Sequence, residues 1–395
     1  MLPVLRIHQI SDSRSRSNGD STLLQYSDHF RQTNVLVDCG IRKSVVAKYL
    51  QEIEIKKIDL LVASHIDLDH IGGLREVLSN FDVKWLWVMN IDPLKRFVEK
   101  SVGFDREKHH FLKCITLAHE SIVTAGRRNV RCSSVYEGFR ERIAPFLVEV
   151  LSPPFAFDHF LQDPRNVEKV LKSSKGKTYE NFLKEKGHIR EDVSTQILAE
   201  REVNEREIQE QELPNYPELS EYNEDLFSSN FNLASRGLLN NISVVVRITC
   251  LAPNCPTSIF EPLTILFPGD LEDWTYLFFK HNEYINTPIL KIPHHGSDRV
   301  QFKDRNLYEF LRPHLCLIFP YPENALPSPE AIALLARSGL VSCTSCKQAG
   351  NAHSRSGCCH IDNNCMSLDS VVYEITPVGL SVKDGRGICM GTFRP

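Results

Sequence analysis

The chain has 395 residues, enough for one large domain or two ordinary ones, and its 42% hydrophobic and 24% charged content is that of a globular protein. A formal net charge of -4 excludes a general basic field of the kind that holds nucleic acid, although a local patch is compatible with the balanced total. No apolar run approaches the ~20 residues of a membrane span, Met1 to Leu5 lacks the order of a secretory signal, and the cysteines, many scattered singly, suit a reducing cytoplasm better than a disulfide framework.

Val4 to Ile10 alternates apolar and polar positions and predicts a strand, followed by a polar loop containing Arg14 and Arg16. Gly19-Asp20-Ser21 leads into a strand at Thr22 to Tyr26. A third strand starts at Asn34 and ends in a turn at Asp38-Cys39-Gly40, where Asp38 reads as a residue that fixes the loop. The apolar run Ile58 to Ala63 predicts a buried strand that ends in Ser64-His65-Ile66-Asp67-Leu68-Asp69-His70. Two imidazoles and two carboxylates at a strand end are costly to bury unless they pair or bind metal, so His65, Asp67, Asp69 and His70 are candidate metal ligands, with Asp69 also a catalytic candidate. Gly72-Gly73 predicts a tight turn and Leu74 to Leu78 the start of a helix. Strand, ligand-bearing loop and helix is the layout of a hydrolytic metal site.

Val83 to Met89 predicts a further strand. His109, His110 and His119 stand in a region of ambiguous pattern and read as surface or core histidines, and Arg127, Arg128 and Arg131 as a solvated face or a phosphate contact. Phe146 to Leu151 predicts a strand that Ser152-Pro153-Pro154 breaks. Residues 155–239 then turn charged, with an almost wholly polar stretch from Glu200 to Glu212. They read as a charged helical insertion with a mobile linker inside a single domain spanning 1–395, serving as a solvated excursion or as a lid or docking arm for a protein partner.

Strands are expected again at Asn240 to Ile248 and at Leu263 to Phe267, the latter ending in Gly269-Asp270, where Asp270 is either a helix cap or a ligand. Ile289 to Ile292 delivers His294 and His295 into a Gly296-Ser297 turn. One of the two should ligate metal, with His295 the choice, and its neighbour could donate to a substrate oxygen, so both are catalytic candidates. A helix at Pro329 to Ser338 precedes Cys343-Thr344-Ser345-Cys346, with His353, Cys358, Cys359, His360 and Cys365 close behind. A Cys-x-x-Cys pair followed by a second cluster predicts a closed structural zinc site in the loop 343–365, with Cys343 and Cys346 as the firmest ligands. Cys250 and Cys255 read as unrelated to it, and the last strands are expected at Val371 to Ile375 and Gly379 to Val382.

His65-Ile66-Asp67-Leu68-Asp69-His70 resembles the metallo-β-lactamase signature His-x-His-x-Asp-His, with Asp67 in place of the second histidine. That replacement, followed by Ile71-Gly72-Gly73, resembles the soluble domain of ComEC-type DNA-uptake proteins. Leu290-Lys291-Ile292-Pro293-His294-His295-Gly296-Ser297 is similar to the Leu-Lys-Val-Pro-His-His-Gly-Ser segment of the same proteins. The resemblance implies a four-layer αβ/βα sandwich. It also implies a pair of divalent cations, manganese or zinc, with Asp270 as the bridging carboxylate, and DNA or another phosphodiester as substrate. Asp67 makes one cation site richer in oxygen, which favours manganese. The alternatives are hydrolysis of a small ester, lactone or cyclic nucleotide, and a degenerate metal-binding subunit of a DNA-processing or phage-defence complex. The sequence departs from the family in having Asn240 and Asn241 where a ligand histidine commonly precedes the strand, and Leu326 where a later histidine commonly stands.

Overall fold

The computed structural model describes residues 3–11, 19–92, 94–95, 106–155, 240, 242–252, 263–285, 287–302, 305–321, 326–337, 339–344, 370–376, 379–384 and 389–393. The charged insertion, apart from its first residue, therefore lies outside the described residues.

In chain order the first strands are β1 (Val4–Ile10), β2 (Thr22–Ser27), β3 (Gln32–Val37), β4 (Lys57–Ile58), β5 (Leu60–Val62), β6 (Asp82–Val83), β7 (Trp85–Val88), β8 (Arg131–Ser134), β9 (Arg140–Ile143) and β10 (Phe146–Ser152). They are followed by β11 (Val245–Cys250), β12 (Thr264–Phe267), β13 (Ile289–Lys291), β14 (Gln301–Phe302), β15 (Arg305–Asn306), β16 (Leu315–Ile318), β17 (Leu340–Cys343), β18 (Ser370–Thr376), β19 (Gly379–Asp384) and β20 (Cys389–Phe393). One sheet runs β20-β19-β18-β1-β2-β3-β5-β7-β8 and the other β17-β16-β13-β12-β11-β10-β9. Each sheet is antiparallel in one part and parallel in the other. The parallel strands are β3, β5, β7 and β8 in the first sheet and β12, β13, β16 and β17 in the second.

The period of two along the second sheet explains the layering. Val246, Ile248, Ile265, Phe267, Ile289, Leu315 and Leu317 enter the core shared with the first sheet. The residues between them, Val245, Leu266, Leu290, Cys316 and Ile318, pack instead with Trp274, Leu277, Ile332 and Leu335. These last belong to or adjoin the helices Thr275–Ile285 and Pro329–Leu335. Helices Val45–Glu52, Leu74–Asn80 and Arg106–Arg127 flank the first sheet. The architecture is the mixed α/β sandwich of two facing sheets between helical layers that the sequence leads one to expect.

Several readings need correction. The run Ile58 to Ala63 is not one strand. Lys57–Ile58 pairs with Asp82–Val83 in a small parallel sheet, while Leu60–Val62 enters the large one. The break is Asp59, whose carboxylate pairs with Lys57 at 2.7 Å and accepts from Asn34 N at 3.1 Å. The run Val83 to Met89 divides in the same way at Lys84. Gly72 is required by close approach and not by turn freedom: its φ is -55, but a Cβ there would stand 2.1 Å from the carbonyl oxygen of Ile41. The region of ambiguous pattern is the helix Arg106–Arg127, which buries His119 and Cys114. Cys39, Cys114, Cys132 and Cys316 are free thiols, but Cys250 is disulfide-bonded, an exception to the reading of the cysteines as reduced. Among the described residues no helix is long and apolar enough to cross a membrane.

Candidate metal centre

The site lies beyond the carboxyl ends of parallel strands in both sheets, the place where open α/β sheets leave room for ligands. Asp38 follows β3 with φ 61, a left-handed backbone that a residue with a side chain holds only when its surroundings fix it. Its carboxylate shows what fixes it. Ser64 N donates to Oδ1 and Ser64 Oγ to Oδ2, both at 2.7 Å, and His70 Nδ1 lies 2.9 Å from Oδ2. Asp38 thus ties the loop after β5 to the end of β3 and sets the His70 ring. Gly269, φ 60, brings Asp270 in from β12. A Cβ at Gly269 would stand 3.0 Å from Ser64 Oγ and 2.9 Å from Ser243 Oγ.

Asp69, His70, Asp270 and His295 each offer one ligand atom, and these atoms all lie within 4.8 Å of one another. His70 is fully buried, and its Nε2 makes no hydrogen bond although Asp270 Oδ1 stands at 3.3 Å, Asp20 Oδ2 at 3.8 Å and Asp69 Oδ2 at 3.9 Å. His295 is oriented in a similar way, although its Nε2 has a hydrogen-bond partner. Its Nδ1 donates to the Phe319 carbonyl at 2.9 Å, and its Nε2 faces Asp69 Oδ2 at 2.9 Å and Asp270 Oδ2 at 3.5 Å. An imidazole with one nitrogen held by an acceptor and the other turned among carboxylates has the orientation of a metal ligand. Two such rings with two carboxylates fit a divalent cation.

The side chains shift one another's basicity strongly. Burial alone would lower the pKa of His70, but the carboxylates of Asp270, Asp38, Asp20 and Asp69 outweigh it and hold the ring protonated well above its usual range. At His295 burial likewise opposes, and Asp270 and Asp20 raise the pKa to about 10. His65 goes the other way, to about 4, because burial and the neighbouring His70 both disfavour its charge. Burial works against ionisation of Asp270, yet His70, Lys291 and His295 hold its pKa well below the ordinary carboxylate value.

The sequence-derived candidates are not all brought together. His65 lies against His70, with ring centroids 3.9 Å apart and its own Nε2 without a hydrogen bond, but it is not in the four-ligand group. Asp67 is not in that group either. It caps the short helix Leu68–Ile71 by accepting from Leu68 N at 2.9 Å, and Cys114 Sγ donates to the same oxygen at 3.5 Å. His294 is half-buried beside the group, its Nδ1 2.9 Å from Glu272 Oε1, which also accepts from Asn240 Nδ2 at 3.1 Å. Cys343 ends β17, whereas Cys346, His353, Cys358, Cys359, His360 and Cys365 lie outside the described residues, as does Asn241. Sequence reasoning assigned no site role to Asp20, Glu272 or Lys291. Asp20 and Lys291 were visible only as polar residues within the Gly19-Asp20-Ser21 and Leu290-to-Ser297 motifs. Tyr321 packs on His295 at 5.2 Å between centroids and forms a bridge to Leu326, so the place of the absent histidine borders the ring of a ligand candidate.

Known proteins add the following. The metallo-beta-lactamase fold protein YhfI from Bacillus subtilis is 13% identical over 38% of this chain and 53% of its own, with a TM-score of 0.23. A beta-lactamase domain protein from Burkholderia ambifaria is 16% identical over 37% of this chain and 45% of its own, TM-score 0.24. Rm3 metallo-beta-lactamase is 14% identical over 34% and 49%, TM-score 0.22. The chain thus spans about half the length of these solved structures. No curated protein matches it. Residues 15–159, which include Asp20, Asp38 and the whole segment from His65 to His70, match the family model described as Metallo-beta-lactamase superfamily.

Proposed function

We propose that this chain is a metal-dependent hydrolase of phosphodiester bonds with DNA as its substrate. The observation that carries the reading is the pair of imidazoles, His70 and His295, each with Nδ1 held by an acceptor and Nε2 turned toward Asp69 and Asp270. Asp69, His70, Asp270 and His295 would hold a divalent cation. Such a cation, when bound, supplies Lewis acidity and lowers the pKa of a water molecule. The chain's own contribution is positional. Asp38 and the Phe319 carbonyl orient the two rings, and Glu272 Oε1 stands 2.9 Å from Nδ1 of His294, on the side away from the nitrogen that would serve a substrate oxygen. DNA rests on the resemblance of the two histidine segments to ComEC-type proteins. A donor set half imidazole and half carboxylate supports manganese as activator beside zinc.

The test is turnover of single- and double-stranded DNA with manganese, alongside the Asp69→Ala/Asp270→Ala double variant. Metal-dependent cleavage that the double change abolishes is the expected result. Hydrolysis confined to small esters or cyclic nucleotides would move the substrate class, and bound metal without turnover of either would leave a partner subunit.

We also propose that the loop 343–365 holds one structural zinc and that the insertion 155–239 docks a protein partner. Cys343→Ser with Cys346→Ser should remove about one zinc per chain and lower the melting temperature. Loss of zinc with an unchanged melting curve would refute the structural role.

A further inference from the structure

Lys291 is buried, 3% exposed, at the end of β13. Its Nζ donates to the Gly269 carbonyl at 2.8 Å, lies 3.2 Å from Asp270 Oδ1, and pairs directly with Asp20 Oδ2. An ammonium is rarely buried to this extent without carboxylates around it, and here it stands on one of the two carboxylates that the four-ligand group contributes. The second group of neighbouring acidic and imidazole atoms, Asp20, Asp38 and His70, has little left to offer a cation. Both oxygens of Asp38 accept from Ser64, and Asp20 is taken up by Lys291 with His295 Nδ1 at 3.3 Å from its other oxygen.

We infer that Lys291 is the second cation of this centre: the site takes one divalent ion, and the lysine ammonium occupies the charge position that a second ion would fill. This rests on the metal-dependent reading and replaces the pair of cations implied by the resemblance. The charge balance agrees. On the Nε2 side of His70, where Asp20, Asp69 and Asp270 converge, three carboxylates less one ammonium leave two negative charges, which a single divalent cation neutralises, while Asp38 on the other side is held by Ser64 and Nδ1. A second divalent ion would add two uncompensated positive charges in a buried setting beside a fixed ammonium. Asp20 is then a positioning residue for Lys291 and not a ligand.

Manganese chloride alone serves as the probe, with metal analysis and electron paramagnetic resonance as readouts. The native chain should bind one manganese at the centre and give the spectrum of an isolated ion. Two manganese per chain with an exchange-coupled spectrum would overturn the inference and leave the metal-dependent reading intact. No bound manganese would overturn both. Lys291→Met should admit a second manganese and produce the coupled spectrum, and a folded variant that still binds one would show that the lysine is not what excludes it. If that variant fails to fold, the count and spectrum of the native chain decide the question.

Discussion

Replacing His70 by alanine is expected to abolish metal binding, to reduce turnover on the order of 10³-fold, and to lower stability by about 3–5 kcal/mol even before metal is added. The size of the last effect follows from position. His70 is fully buried, and its ring touches Asp38 on one side and faces Asp20, Asp69 and Asp270 on the other. Removing it leaves a nest of carboxylates without the ring that Asp38 holds through Nδ1, and a cavity in their midst. Asp69→Ala provides the contrast. That carboxylate is the most exposed of the group, with 16% of its side chain accessible, and it faces His295 across the opening. Its loss should remove metal binding at a cost under ~1 kcal/mol in the metal-free protein. Thermal unfolding in chelator, followed by metal titration of each variant, separates the two. Coincident melting curves for native protein and His70→Ala would show that the ring does not hold the acidic residues together.

Metal loading at neutral pH should release about two protons per ion. His70 and His295 both have raised pKa values, the latter about 10, and must surrender their protons before Nε2 can ligate. In the metal-free protein a raised pKa means that the stabilising contribution is fully present below the unfolded value of 6.5 and is lost as the pH rises through about 10. The metal-bound protein behaves in the opposite sense. Apparent affinity should climb about tenfold per pH unit for each proton displaced, so the bound and free forms differ most on the alkaline side. Calorimetry in buffers of different ionisation enthalpy counts the protons directly. An affinity that stays flat between about pH 6 and pH 9, with no buffer-dependent heat, would show that the rings are neutral before the ion arrives.

Much of this site was legible because histidines and aspartates at the ends of apolar runs are costly to bury without a purpose. His65 to His70 and the pair His294-His295 stood out on that ground, whereas Asp270 read as either a helix cap or a ligand and as a bridging carboxylate only through the resemblance. What was not legible is how each of those side chains is shared. Asp67 looked equivalent to Asp69 in sequence, but one opens a helix and caps it, while the other points toward His295. Spacing cannot separate two carboxylates when one meets a backbone amide and the other an imidazole. Asp20 and Lys291 escaped assignment for a related reason: each is a single charged residue inside a quoted motif, and only their contact across the two sheets shows that they act as a pair. The fold was similarly readable where alternation was clean, as in Val4 to Ile10. It was misread where a polar residue interrupted a run, as at Asp59, because an anchored carboxylate and a solvated one look alike in sequence.

The ligand set is divided between the halves of the chain. Asp69 and His70 come from the first sheet's loops, Asp270 and His295 from the second's, and His295 is 226 residues away from Asp69. During synthesis the first half can fold into strands and helices while the ribosome is still adding the second, because domains and their parts form as they emerge. Through all of that interval the chain carries only Asp69 and His70 of the four. The four-ligand group is therefore complete only once the segment bearing His295 has docked. A truncated or stalled chain ending before that segment lacks half of the ligand set, so the division of the ligands ties a complete metal centre to a complete chain.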